Sequence, residues 1–162
     1  MSPPGSGNKA SISFPVAGLT GCFTMIGGIE MEVGDEDVSC LNTDGLQEVE
    51  LQDIATMSET EVEMLLDDTL NIIMDGTDLA DPTPALGELK LKHKELITIT
   101  GATRNGDDTP AEFAAWGGIK KISLPEYVNN TTRRLKFTIK WLNRDLTGTQ
   151  VKPTYTPAVP TV

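Results

Sequence analysis

His93 is the only histidine in the chain, and Asp75, Asp78 and Asp81 form a short run of possible oxygen ligands beside a glycine turn. These residues are the natural places to look for proton transfer and for a bound cation. A histidine acts as a general base only beside a group that orients it and a reactive group within reach. His93 sits in a lysine-rich run with Glu95 as its one acidic neighbour in sequence. The Asp75-Gly76-Thr77-Asp78 segment, even with Asp81, lacks the alternating ligand spacing and closing glutamate of an EF-hand, so it reads as a turn with solvated acids. Gly27-Gly28 and Gly117-Gly118 do not lead into a helix with Lys-Ser or Lys-Thr, as a phosphate loop requires, and read as strand breaks or bulges. Cys22 and Cys40 are two thiols in a long chain, too few for a disulfide framework. The residue types thus point to no catalytic residue, no cofactor and no metal, and to a structural rather than an enzymatic role.

The elements that would carry these residues are short and mostly β. Ile29, Met31 and Val33 alternate with Glu30 and Glu32; Val49 and Leu51 alternate with Glu48, Glu50 and Gln52; Thr60, Val62 and Met64 alternate with Glu59, Glu61 and Glu63. A period of two with one apolar and one acidic face is the pattern of a strand covering a core on one side. Glu, Met and Leu also favour helices, which keeps a helix through 58–66 open, but the strict alternation favours a strand. Leu89, Leu91 and His93 then alternate with Lys90, Lys92 and Lys94, leading into 96–100. A strand is expected from Ile119 to Leu124, stopped by Pro125. Leu135, Phe137, Ile139 and Trp141 alternate with Lys136, Thr138 and Lys140 in the clearest strand of all. Trp116 and Trp141 are expected to anchor the core or an interface. Many short strands punctuated by Gly, Asn and Pro indicate a sandwich or barrel.

Three segments break this pattern. Residues 1–20, rich in Pro, Gly and Ser, read as an N-terminal arm; residues 143–162, with Pro153, Pro157 and Pro160, read as an extended tail without regular pairing. Between the arm and the tail, residues 21–142 form the domain, interrupted by a long loop over 67–88. In that loop Asp67-Asp68-Thr69 could cap a short helical turn through Leu70 to Met74.

Length and charge bound the function classes. A chain of 162 residues fits one domain with a real core. No stretch is apolar for long enough to span a bilayer as a helix, and the N-terminus lacks the order of a signal peptide, so the expectation is a protein used without export. A net charge of −11 argues against ordinary nucleic-acid binding. The charge is unevenly spread: residues 1–89 carry 18 acids and one base, residues 90–162 carry 12 bases and 6 acids. Opposite-signed regions can guide head-to-tail association of identical subunits.

Two stretches carry a resemblance. Glu36 to Glu48, including Asp37-Val38-Ser39-Cys40-Leu41-Asn42-Thr43-Asp44-Gly45, followed by Met57 to Met64, is similar to the aspartate-rich turn and following strand of major tail tube proteins of long-tailed bacteriophages. Ala115 to Pro125, then Asn129-Asn130 and Leu135 to Trp141, resembles the carboxy-terminal part of the same family. Order and spacing agree over about residues 29–150. Met57-Ser58 and Leu142-Asn143 depart from the family pattern, and the alanine-rich helix that commonly follows the second strand is weak here.

The resemblance implies a two-sheet β-sandwich or barrel with a short flanking helix. It implies homo-hexameric rings stacked head to tail in the virion tail, assembled in the host cytoplasm, with DNA passing through the channel without specific binding. The partners it implies are tape measure, tail terminator and distal tail proteins, with no membrane. On this expectation Glu30, Glu32, Glu48, Glu50, Glu59, Glu61 and Glu63 are lumen-facing candidates whose charge would repel phosphate. Asp67, Asp68, Asp75, Asp78 and Asp81 on one copy and Lys120, Lys121, Arg133 and Arg134 on its neighbour are subunit-interface candidates. The alternative in a different class is a capsid decoration or other β-sandwich binding module on a particle surface.

Overall fold

A computed structural model describes residues 10–19, 22–37, 49–66, 69–74, 83, 85–102, 108–129 and 132–161. Eleven strands follow one another: β1 Ser11–Ser13, β2 Phe23–Ile26, β3 Met31–Asp37, β4 Val49–Met57, β5 Thr60–Leu65, β6 Asn71–Ile73, β7 Glu88–Lys90, β8 Lys94–Thr100, β9 Glu112–Ser123, β10 Arg134–Leu142 and β11 Thr154–Thr156. The mainly β reading therefore stands. The short helix does not: among the described residues there is none, and the segment expected as a helical turn forms β6, which pairs in parallel with β7. The β-branched Ile72 and Ile73 fit a pleated surface better than a helix, and Ile72 stands opposite the fully buried Leu89.

The framework is one seven-stranded sheet in the order β1-β8-β9-β10-β5-β2, with β11 beside β9 in the lane that β10 vacates. The pairings within it are antiparallel. Alternation along β5 and β10 sets its two faces. Thr60, Val62 and Met64, with Leu135, Phe137, Ile139 and Trp141, point inward, and each is at most 5% exposed. Full burial of side chains of this size contributes roughly 1.5–3 kcal/mol apiece. The Trp141 indole N–H donates to Thr60 Oγ1 at 2.8 Å, so the one hydroxyl in this layer has a partner. Phe113 meets Trp141 edge-on, with ring centroids 5.1 Å apart.

Gly117-Gly118 is not a break. β9 runs through it, and the register shift falls further on, where Thr138 faces Lys121 and Ile139 faces Ile119. Gly117 is there because the core leaves it no room: a Cβ would lie 2.7 Å from both Ile139 Cγ2 and Ile97 Cδ1. Gly27 does fall between strands; its N–H donates to the Glu61 carbonyl at 2.8 Å.

Both ends of the described chain join the fold. β1 pairs with β8, and Ile12, Phe14, Ala17 and Leu19 all belong to the buried core, within the region expected as an arm. Near the other end, Thr154–Thr156 pair with β9, although regular pairing was not expected among the prolines. Pro153 and Pro157 flank the three paired residues, and proline is tolerated at a strand boundary because its missing N–H breaks no ladder bond inside the strand.

β3 and β4 depart most from expectation. They form a separate antiparallel pair that, among the described residues, pairs with no other strand. Met31, Val33 and Leu51, which the alternation assigns to a core face, are 60%, 41% and 70% exposed.

Candidate functional site

The solvent face of the seven-stranded sheet carries the charge. Lys120 hydrogen-bonds Glu59, Arg134 Nη1 donates to Glu63 Oε1 at 3.1 Å, and Lys136 Nζ lies 3.8 Å from Glu61 and 3.7 Å from Glu63. The Lys120 hydrogen bond holds the Glu59 carboxyl below its ordinary value. For Glu63 the downward shift comes first from the Thr24 hydroxyl, which donates at 2.8 Å, and then from Arg134. The acidic face of β5 is thus matched across the sheet by bases on β9 and β10.

Beside this ladder the bases have fewer acidic partners. Gly118 on β9 stands in register between Lys94 on β8 and Lys140 on β10. With no side chain on Gly118, the surface dips into a depression of about 300 Å³ lined by Lys92, Lys94, Gly118, Ile119, Lys120, Lys140 and Leu142. Lys92 reaches it through a left-handed backbone turn (φ 63°) that separates β7 from β8. The next rung of the sheet aligns Leu96, Trp116 and Leu142. A row of lysines therefore borders a row of apolar side chains, with Leu96 40% exposed.

The hairpin carries the opposite charge. Residues 30–57 contain nine acids and no base. Glu30, Glu32, Asp35 and Glu36 are all exposed. Met31 pairs with Met57 and Val33 with Ala55; beyond a register shift, Asp35 stands opposite Leu51. The hairpin is fixed at its root, where Ser58 N donates to the Glu30 carbonyl and Glu30 N to Ser58 Oγ, both at 2.8 Å.

The remaining sequence candidates fall as follows. Glu30 and Glu32 lie at the hairpin, and Glu59, Glu61 and Glu63 in the ion-paired ladder. Glu50 is in β4 with its side chain outside the described residues, as is the whole of Glu48. Asp67, Asp68, Asp75, Asp78 and Asp81 also lie outside the described residues. Lys120 and Lys121 are exposed on β9. Arg133 and Arg134 are at the far end of β5, where the Arg133 guanidinium covers the Tyr127 ring at 4.1 Å and its carbonyl accepts from Leu66 N at 3.0 Å. A wide groove of about 720 Å³ opens there, but Glu63 and Glu126 line it together with Arg133, Arg134 and Lys136.

His93 is 1% exposed, and Nε2 shares a hydrogen bond with the equally buried Glu95. The two Glu95 oxygens accept from Val16 N at 3.1 Å and Ala17 N at 3.0 Å. The pair therefore fastens residues 14–19 to the sheet. Sequence spacing placed His93 and Glu95 together but gave no sign of the amides 78 and 79 residues away.

The described residues thus present a charged sheet face and a separate hairpin that exposes acids and apolar groups side by side. The comparisons with known proteins agree on the chain's fold. No family model matches the chain, and no curated protein matches it in sequence. Among solved structures it is similar to a chain of the anti-feeding prophage (AFP) baseplate, with TM-score 0.66 and 8% identity over 97% of this chain and 98% of that one. It is also similar to the SPP1 tail tube, with TM-score 0.54 and 8% identity over 97% and 81% of the two chains. A third is the tail of the empty GTA particle, with TM-score 0.52 and 12% identity over 93% and 98%. The chain has the fold of phage tail tube proteins.

Proposed function

We propose that this chain is a structural virion protein, the repeating subunit of a phage-type tail tube. In this reading six copies close into a ring, rings stack head to tail, and DNA passes through the channel. The observation that carries it is the β3–β4 hairpin, which exposes Met31, Val33 and Leu51 outside the core of a fold whose neighbours match nearly end to end. In this reading a neighbouring copy covers these exposed apolar side chains. Among the described residues β1 and β2 stand at the two ends of the sheet order, where backbone can pair with a neighbouring copy on ring closure. The sixfold order comes from the neighbours: the AFP baseplate structure is 6-fold symmetrised and the GTA tail has C6 symmetry.

Within the tube, Glu30, Glu32, Glu48 and Glu50 are the acids we assign to the lumen, because Glu59, Glu61 and Glu63 already have basic partners. The stretch Asp67–Asp81 is proposed to meet Lys121, Arg133 and Arg134 of a neighbour. Tape measure, terminator and distal tail proteins are the further partners of such a tube, in the virion tail after assembly in the host cytoplasm. Sedimentation of the purified chain over rising concentration tests the reading. Cooperative appearance of very large particles, seen as tubes by negative stain, supports it; compact monomers or trimers at every concentration would favour a surface decoration module.

A further inference from the structure

The lysine depression around Gly118 and the acidic hairpin are complementary surfaces on one chain. We propose that the depression lined by Lys92, Lys94, Lys120 and Lys140 receives the β3–β4 hairpin of a second copy. This rests on the tube-subunit reading and names one of its contacts.

Four observations carry it. No carboxylate lines the depression, and among the described residues Lys92 and Lys140 make no ion pair; Glu59, bonded to Lys120, feels Lys140 only at longer range. Lys94 is positioned by its own bond to the Asp145 carbonyl at 2.9 Å. The Asp145 carboxylate nearby, held below its ordinary value first by the Thr147 hydroxyl and in part by the Lys94 charge, belongs to the turn after β10 and does not line the depression. The hairpin supplies carboxylates with no base among them, and it alternates them with exposed apolar groups. Asp35 stands opposite Leu51, so one face offers a carboxylate beside a leucine. The sheet offers the counterpart, the Lys94–Gly118–Lys140 rung next to the Leu96–Trp116–Leu142 rung. Charge pairs set the register, and burial of Leu51 on Leu96 and Leu142 supplies the attraction.

A nucleic acid is the poorer occupant. Phosphate approaching the depression would also meet the field of a chain with net charge −11. A second copy brings both the charge and the apolar groups. Because the two surfaces differ, the contact is heterologous and propagates from copy to copy, closing into a ring or continuing as a filament.

The test mixes isotope-labelled and unlabelled full-length chain, adds a zero-length carbodiimide linker, and identifies cross-linked peptides by mass spectrometry. Labelled-to-unlabelled links are expected from Lys92 or Lys140 to Asp35, on the Leu51 face of the hairpin. The Lys92→Glu/Lys140→Glu pair of changes is also expected to raise the concentration needed for assembly about tenfold or more. Mixing that variant with Asp35→Lys chain should restore assembly. Gly118→Leu, which fills the depression without adding charge, should impede assembly while circular dichroism stays that of the parent. If tubes form but these links are absent and the variants assemble normally, the hairpin contact is wrong and the tube reading stands. If the links form between copies but no tube or ring appears at any concentration, the contact stands and the tube reading falls.

Discussion

The buried imidazole of His93 and the buried carboxylate of Glu95 are joined by a hydrogen bond, and the same carboxylate caps the backbone amides of Val16 and Ala17. One acidic side chain thus ties β8 to the turn that follows β1. Removing one member of a buried polar network leaves its partners unsatisfied and costs more than the network contributes relative to an apolar replacement.

Glu95→Ala is therefore expected to lower stability by about 3 kcal/mol. Denaturant unfolding measures the loss. Hydrogen exchange should show the amides of Val16 and Ala17 losing protection ahead of those in β10. Uniform loss across the sheet would mean that Glu95 does not act as a local fastener.

Gly117 tests the close packing beneath β9. Its φ is unexceptional, so the obstacle is space, with a Cβ 2.7 Å from Ile139 and Ile97. Gly117→Ala is expected to destabilise by about 1–3 kcal/mol, through overpacking. Gly118→Ala, where the nearest atom would be 3.4 Å away, should change unfolding little. Chemical denaturation of the two variants side by side decides this; equal effects would contradict the assigned faces.

The ion-paired ladder has a pH signature. Glu59, Glu63 and Asp145 are held below their ordinary values of 4.5, 4.5 and 3.8, first by hydrogen bonds from Lys120, Thr24 and Thr147 respectively. In each case the unfolded chain takes up its proton at higher pH than the folded one. Their stabilisation is complete above the ordinary values and is lost as pH falls through the lower, folded values. Melting temperature should thus decline as pH drops below about 4.5, and Glu59→Gln/Glu63→Gln should flatten the acid limb. An unchanged limb would mean that these carboxylates do not report on folding.

Much of this was legible in the sequence, and the failures have physical causes. Alternation located β5 and β10 and their buried faces, because a strand with one face in the core must repeat every second residue. The same alternation misassigned β3 and β4: Met31, Val33 and Leu51 repeat just as regularly, yet face solvent. Period reveals that a face is apolar, but not whether its own chain or another covers it. The lysine depression was hidden for a different reason. It depends on Lys94, Gly118 and Lys140 falling in register on three strands, and on the positive φ that turns Lys92 outward. Glu95 was visible only as a neighbour of His93, because its other partners are backbone amides, which carry no sequence signature.

Cryo-electron microscopy of the concentrated, purified 162-residue chain tests whether it builds a tube. The expected result is rings of six subunits stacked into a tube around an open channel, with the β3–β4 hairpin buried between copies. Particles that remain monomeric, or close into compact trimers with the hairpin exposed, would contradict it.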